Sequence, residues 1–393
     1  MDADTCQKTG IVGLEDLPND EVFVKLKPDF HNLLQGKIRN FGIEKFERKI
    51  GSGRKVGHWL TEEHLIRFDV LLKILDHFDM NYKNNIEFIR GKDGRKIRNP
   101  KFPFNFTSCQ GVRIVSGILG DGGIPTNKPN PYYTNSDKRL INGFIKDMRF
   151  VFGDLEFDTR KIKKNNTLTT VLGFSSLIQK IFLEIGLQKG KKIITNPPIP
   201  LFIFNLDDDK KYAFISQFID DEGSVNKVAR HVAITAGTLR SYSYPNILKD
   251  MQKLFLSLGI GSSLYKGKYR SSFTGENTIV WRMQINGQFQ LKQLHDNLSL
   301  RISRKRNSLK SLMKSFKLKV FRRKEYLGIY VDVMRKIQNS NGYFTSLDVS
   351  KETGRVVGSC RNTLAKFKEK GIITCIKSPT SGNFHEYGRY VLK

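Results

Sequence analysis

The chain of 393 residues carries 67 Lys and Arg against 38 Asp and Glu, a formal charge of +29. Folding does not need that excess, which costs self-repulsion, so it points to a polyanionic partner. The four cysteines, Cys6, Cys109, Cys360 and Cys375, are scattered and form no Cys-x-x-Cys pair, which argues against a disulfide framework or zinc knuckle. No apolar run reaches membrane-spanning length, and Met1-Asp2-Ala3-Asp4 does not begin a signal peptide, so a cytoplasmic setting with no membrane partner is expected.

In chain order, residues 1–100 read as a helical N-terminal domain. Phe30, Leu33, Leu34, Ile38 and Phe41 recur at helical spacing up to Gly42, and a shorter run ends at Gly51. A third helix is predicted from Thr61, as N-cap, through Phe78. Arg48, Lys49, Arg54 and Lys55 around the second helix suit either a helix-turn-helix-like unit or a helical cap on the next domain. Gly91 to Gly94 read as a turn and Pro100 to Pro103 as a linker.

The next stretch, Ile114 to Gly123, is apolar and small-residued until it ends on Asp121 and two glycines. Ser116 and Gly120 share one helix face and allow another backbone to approach, while Gly122 and Gly123 are expected to stop the helix as left-handed caps. A carboxylate among unpaired carbonyls opposes the helix dipole but suits a hard divalent cation. A second stretch, Ile215 to Val225, also ends an apolar run on an acid and a glycine, Glu222 and Gly223. Two such helices side by side would bring Asp121 and Glu222 together.

Around these stretches the predicted elements repeat. A helix from Asp137, strand-like sequence between Leu155 and Val171 and a helix over 175–185 follow the first. A strand at 231–235, a helix with Leu248 to Phe255, a strand at 279–286 and a helix around 291–294 follow the second. Each half, 105–205 and 206–317, therefore reads as an αββαββα unit. In the last strand Ile279, Trp281, Met283 and Ile285 alternate with Val280, Arg282, Gln284 and Asn286, and that second face offers side chains suited to base edges in a major groove. Residues 301–324 hold many Lys and Arg, among them Arg304 and Arg306, and no acid; Leu309, Leu312, Met313 and Phe316 interleave as one side of a docked helix whose basic side meets phosphate. Residues 325–393 read as three helices and two strands, an order that resembles a winged helix-turn-helix. Ser359, Arg361 and Asn362 would face bases and Lys377 would lie near the wing, although such a unit also serves to dock proteins.

Laid on a nine-residue signature, Ile114–Gly122 and Ile215–Gly223 resemble the paired motif of the LAGLIDADG homing endonucleases, with Asp121 and Glu222 both at the metal-binding acid. Gln217 and Asp221 depart from the motif's small residues and could widen the helix contact. The resemblance implies an α+β fold, a tandem pseudo-two-fold repeat with saddle-shaped antiparallel sheets on duplex DNA. It also implies Mg²⁺ or Mn²⁺ held by Asp121 and Glu222, assisted by backbone carbonyls of Gly120 and Asp221. A basic residue near each scissile phosphate is part of the pattern; Lys192 and Lys305 are the candidates, with Lys191 and Arg304 equally placed.

The activity implied is site-specific double-strand cleavage by a monomer. The alternative is a non-cleaving DNA-binding regulator or an RNA maturase that holds intron RNA. His295-Asp296-Asn297 is only a fragment of a His-Asn nuclease motif, and the chain ends give no support to protein splicing.

Overall fold

The computed structural model describes residues 9–18, 20–53, 55–60, 65–128, 130–164, 167–271, 277–316, 326–378 and 387–393. Arg54, the expected N-cap Thr61, the basic residues from Lys317 to Lys324 and the wing turn after Ser378 lie outside them.

The N-terminal segment begins with β1 (Ile11–Val12) and β2 (Phe23–Leu26). Helices α1 (Pro28–Phe41), α2 (Ile43–Ile50) and α3 (Lys55–Trp59) follow, then β3 (Ile66–Arg67), α4 (Phe68–His77), β4 (Ile86–Arg90), β5 (Lys96–Arg98) and β6 (Phe104–Asn105). The expectation of helices alone over residues 1–100 therefore needs correction. Short runs such as Phe23-Val24-Lys25-Leu26 bury every second side chain, a period of two that is too brief to stand out beside the helices. The described part of α4 starts at Phe68, after β3.

Helix α5 (Cys109–Leu119) leads into β7 (Gly122–Gly123), β8 (Tyr132–Asn135), α6 (Lys138–Phe152), β9 (Asp154–Leu155), β10 (Asp158–Lys164), β11 (Thr167–Gly173), α7 (Ser176–Glu184) and the short α8 (Lys192–Thr195). Strand β9 joins the N-terminal sheet, whose order is β3-β2-β4-β5-β9, while the others form a sheet ordered β10-β11-β8-β7. Asp137 and Ser175 cap α6 and α7 with side-chain oxygens, as their places before apolar periodic runs predict.

Helix α9 (Asp208–Glu222) opens a second set: β12 (Gly223–Asn226), β13 (His231–Leu239), α10 (Asn246–Ser257), β14 (Ser263–Ser271), β15 (Asn277–Asn286), α11 (Gln288–Asn297) and α12 (Ser303–Lys314). Its antiparallel sheet runs β12-β13-β15-β14, so both four-stranded sheets place their third strand at the edge beside the fourth. One apolar core continues from Val12 to Leu312.

The C-terminal unit consists of α13 (Tyr326–Asn341), β16 (Phe344–Thr345), α14 (Ser346–Thr353), α15 (Val357–Glu369), β17 (Ile373–Lys377) and β18 (Arg389–Leu392). Its core, from Tyr330 to Ile373, is a separate cluster. Thr345 and Asp348 form a reciprocal capping box at α14. Among the described residues no helix is long and apolar enough to cross a membrane.

Candidate functional site

Helices α5 and α9 pack against each other along their small residues. Ser116 Oγ donates across the interface to the Phe214 carbonyl at 2.8 Å, and a Cβ on Gly120 would lie 2.7 Å from Asp221 Oδ2. Contrary to expectation, α5 ends at Leu119, and Gly122 and Gly123 are not left-handed caps but strand residues paired with Tyr133 and Tyr132. The need for glycine there is steric: a Cβ on Gly122 would stand 2.8 Å from both Ile118 Cα and the Tyr132 carbonyl oxygen. Gly122→Ala is therefore expected to cost about 2 kcal/mol in urea melts. Gly36→Ala, in open space on α1, should cost nothing or stabilise by about 0.5 kcal/mol.

The two acids leave the paired helix ends into different clefts. Asp121 lines one of about 660 Å³ with Thr126 and Tyr132. Glu222 lines another of about 370 Å³ with Thr235, Gly237 and Val280. Gly120, Lys192 and Ile193 belong to both and form the wall between them. A further cleft of about 570 Å³, near Cys109, Arg113 and Asp209, lies at the opposite ends of the same helices.

Burial and the charge of Glu222 push the Asp121 carboxyl up to about 6, against the opposing pull of Lys192, Lys305 and the amide of Asn135, which donates to Asp121 Oδ2 at 2.7 Å. Burial also raises Glu222, opposed by the same two lysines. The Lys192 ammonium donates to the Gly120 carbonyl; burial lowers it to about 8 despite Glu222, Asp121 and Asp221 nearby. Lys305 donates to the carbonyls of Ile219 (2.8 Å) and Asp220 (2.6 Å) and is held below its usual range by burial. Both lysines thus satisfy C-terminal helix carbonyls. Of the equally placed neighbours, Lys191 and Arg304 are exposed.

The departures from the small-residue pattern are absorbed without prising the helices apart. Asp221 is accommodated because its neighbour is Gly120, and its carboxylate accepts from the Tyr133 hydroxyl (2.8 Å) and from Gln217 Nε2 (3.0 and 3.2 Å). Burial and the charge of Asp121 hold that carboxyl well above the usual range. Gln217 in turn accepts from Arg301 Nη1 at 3.1 Å, while Arg301 Nη2 donates to Asp147 Oδ2 at 2.6 Å and its backbone N–H to Asp220 Oδ2 at 2.6 Å. Arg301, one of the basic run expected to meet phosphate, is therefore an interior link between α6 and α9. Gly143 makes room for it: a Cβ there would fall 2.8 Å from the guanidinium.

Register places Thr235 beside Arg282 and Gly237 beside Val280, so the Glu222 cleft opens on the face of β15 that carries Arg282, Gln284 and Asn286. Arg282 and Asn286 are exposed and Gln284 is half-buried. Arg304 and Arg306 are exposed on α12, where Arg306 also donates to the Leu300 carbonyl at 3.3 Å. Ser359, Arg361 and Asn362 are exposed on α15 and Lys377 at the end of β17, all in the C-terminal unit with its separate core. Sequence reasoning missed Asn135, Tyr133 and Arg301, whose partners lie across the fold.

Residues 209–299 match a LAGLIDADG-like domain family. The chain contains a LAGLIDADG-like domain. Domains of this kind are typically found in endonucleases and generally use divalent metal. The matched LAGLIDADG-like residues run from α9 through α11 and include Glu222 and β15, but not Asp121.

The chain is also 24% identical over 168 residues to the ribonucleoside-diphosphate reductase NrdEB subunit alpha of Bacillus subtilis (strain 168), covering 41% of this chain and 15% of that protein. A protein of the same name from Bacillus phage SPbeta matches equally. A third similarity, 24% over 357 residues, is to the isomerizing glutamine–fructose-6-phosphate aminotransferase of Methanocaldococcus jannaschii, covering 85% of this chain and 30% of the relative. The chain spans less than a third of the length of each of these relatives.

Proposed function

We propose that the chain is a site-specific DNA endonuclease that hydrolyses a phosphodiester bond in each strand of a duplex. The observation that supports this most is the division of the paired helix ends into two clefts, with one acid in each and a shared wall. The repeated element order over 109–184 and 208–297 supports reading them as two pseudo-two-fold halves, so that one monomer supplies both acids.

The donor set fits a hard divalent ion, Mg²⁺ or Mn²⁺. Asp121 and Glu222 are half-buried carboxylates whose charge is disfavoured where they stand, a cost that a bound cation would relieve. Asp221 would add a carbonyl oxygen, its side chain being engaged by Tyr133 and Gln217, and the Gly120 carbonyl would join once the Lys192 ammonium that donates to it turns to phosphate. Among the described residues no group of three or more His, Cys, Asp or Glu could hold a metal, so these carbonyls are part of the proposal. The ion would supply Lewis-acid polarisation of the phosphate and an activated water.

The protein's own part is placement. Lys192 stands between the clefts to neutralise phosphate, Lys305 fixes the end of α9, and Asn135 orients Asp121. Arg282, Gln284 and Asn286 would read base edges from β15. The C-terminal unit, read as a winged helix-turn-helix, would add a major-groove contact through Ser359, Arg361 and Asn362, with Lys377 near phosphate.

One observation favours the alternative of a regulator or RNA maturase that binds without cutting: Lys192 and Lys305 already neutralise the helix ends with ammonium groups. Incubating the full chain and a supercoiled plasmid library with Mg²⁺ distinguishes the two. Linear product that EDTA abolishes and Glu222→Gln removes is expected; binding without any strand scission overturns the nuclease reading.

A further inference from the structure

The Lys305 contacts place the start of α12 at the acid end of α9. The helix packs along β12, the edge strand that leaves Glu222. At its far end Arg230 Nη2 donates to the Ser315 carbonyl (3.5 Å), and the guanidinium lies over the Phe316 ring at 5.2 Å. Twelve residues make the helix about 18 Å long.

One side, with Lys305, Leu309 and Leu312, is buried. Asn307, Lys310, Ser311 and Lys314 lie along the opposite side, Arg304 and Arg306 flank it, and none of the six is buried. Residues 301–316 contain no acid. Exposed Lys227 lies in the turn after β12, the same turn whose Arg230 reaches the far end of α12. The connection after the first set differs: beyond α8 it is the Pro-rich, largely apolar segment 197–206.

We infer that the exposed side of α12 is a phosphate-binding rail for duplex DNA, running from the acid pair to the far end of the helix beside Arg230 and extending the protein–DNA contact on the side of the second sheet. The inference rests on the reading that a duplex lies over the acid pair. Its chemistry is a row of long-stemmed cations with hydrogen-bonding Asn and Ser between them, which suits the phosphate backbone and carries no base selectivity.

The test uses the full chain, a random-sequence 40-base-pair duplex and the salt dependence of binding. Each neutralised phosphate contributes about 0.9 to the slope of log K against log salt. Lys310→Gln with Lys314→Gln should lower that slope by about 2, with unchanged circular dichroism. Lys249→Gln with Lys253→Gln on α10, which packs under the core face of the second sheet, should leave it unaltered. An unchanged slope in the α12 variant, or an equal fall in both variants, overturns the rail. A fall seen only with structured RNA also overturns it. If wild type cuts no plasmid but the slope falls as expected, the rail stands and the nuclease reading fails; if wild type cuts and the slope is unchanged, the nuclease reading stands and the rail fails.

Discussion

Asp121→Asn is expected to cut metal-dependent cleavage by on the order of 10³-fold or more, because no other described side chain replaces its charge in the larger cleft. The same substitution should stabilise the fold. The folded Asp121 carboxyl is raised from 3.8 to about 6, so between those values the folded state binds more protons than the unfolded one and stability falls as pH rises. Above about pH 6 the full penalty is present, and a neutral Asn, which can still accept from Asn135, removes it. The gain should be about 2 kcal/mol at pH 7.5 in EDTA and vanish below about pH 4.

Lys192 works in the opposite window. Its folded value is lowered to about 8 from 10.5, so the unfolded state binds more protons between them and stability rises with pH there. Urea melts of wild type and Asp121→Asn from pH 4 to 9, beside nicking assays, check both halves of the claim. An Asn variant that loses stability at pH 7.5 would show that the carboxylate is structurally needed.

Arg301→Met should produce the largest loss of stability. Asp147 is 3% exposed at its side chain and is held above the usual carboxylate range by burial, with Arg301 the leading counterweight. Removing the guanidinium leaves a buried carboxylate without its ion partner, a loss of about 3–5 kcal/mol. It also releases Gln217, and with it one support of Asp221. Asp147→Asn in the same chain should restore about half of the loss, since a neutral amide needs no counter-ion. A guanidinium denaturation cycle over the single and double variants gives the coupling; strict additivity would mean that the pair is energetically idle.

Much of this site is legible in the sequence alone. An apolar run that ends in an acid and glycine is an unusual way to finish a helix, and its repetition singles out Asp121 and Glu222. The lysines are narrowed there but not separated: only the fold shows that Lys192 and Lys305 turn inward while Lys191 and Arg304 stay outside. Arg301 is misread because a basic run looks like surface; its partner Asp147 is 154 positions away. Strand β14 escapes notice because Ser-Leu-Tyr-Lys-Gly-Lys-Tyr-Arg-Ser is mostly polar and its pairing slips between Lys266 and Tyr269. The N-terminal strands are hidden by brevity, and only pairing across the chain reveals them.

The apolar interior of residues 12–312 and that of residues 330–373 have no side chain in common. A change that unpacks the C-terminal unit is therefore expected to leave the apolar interior of residues 12–312 intact, so the two parts can be altered one at a time.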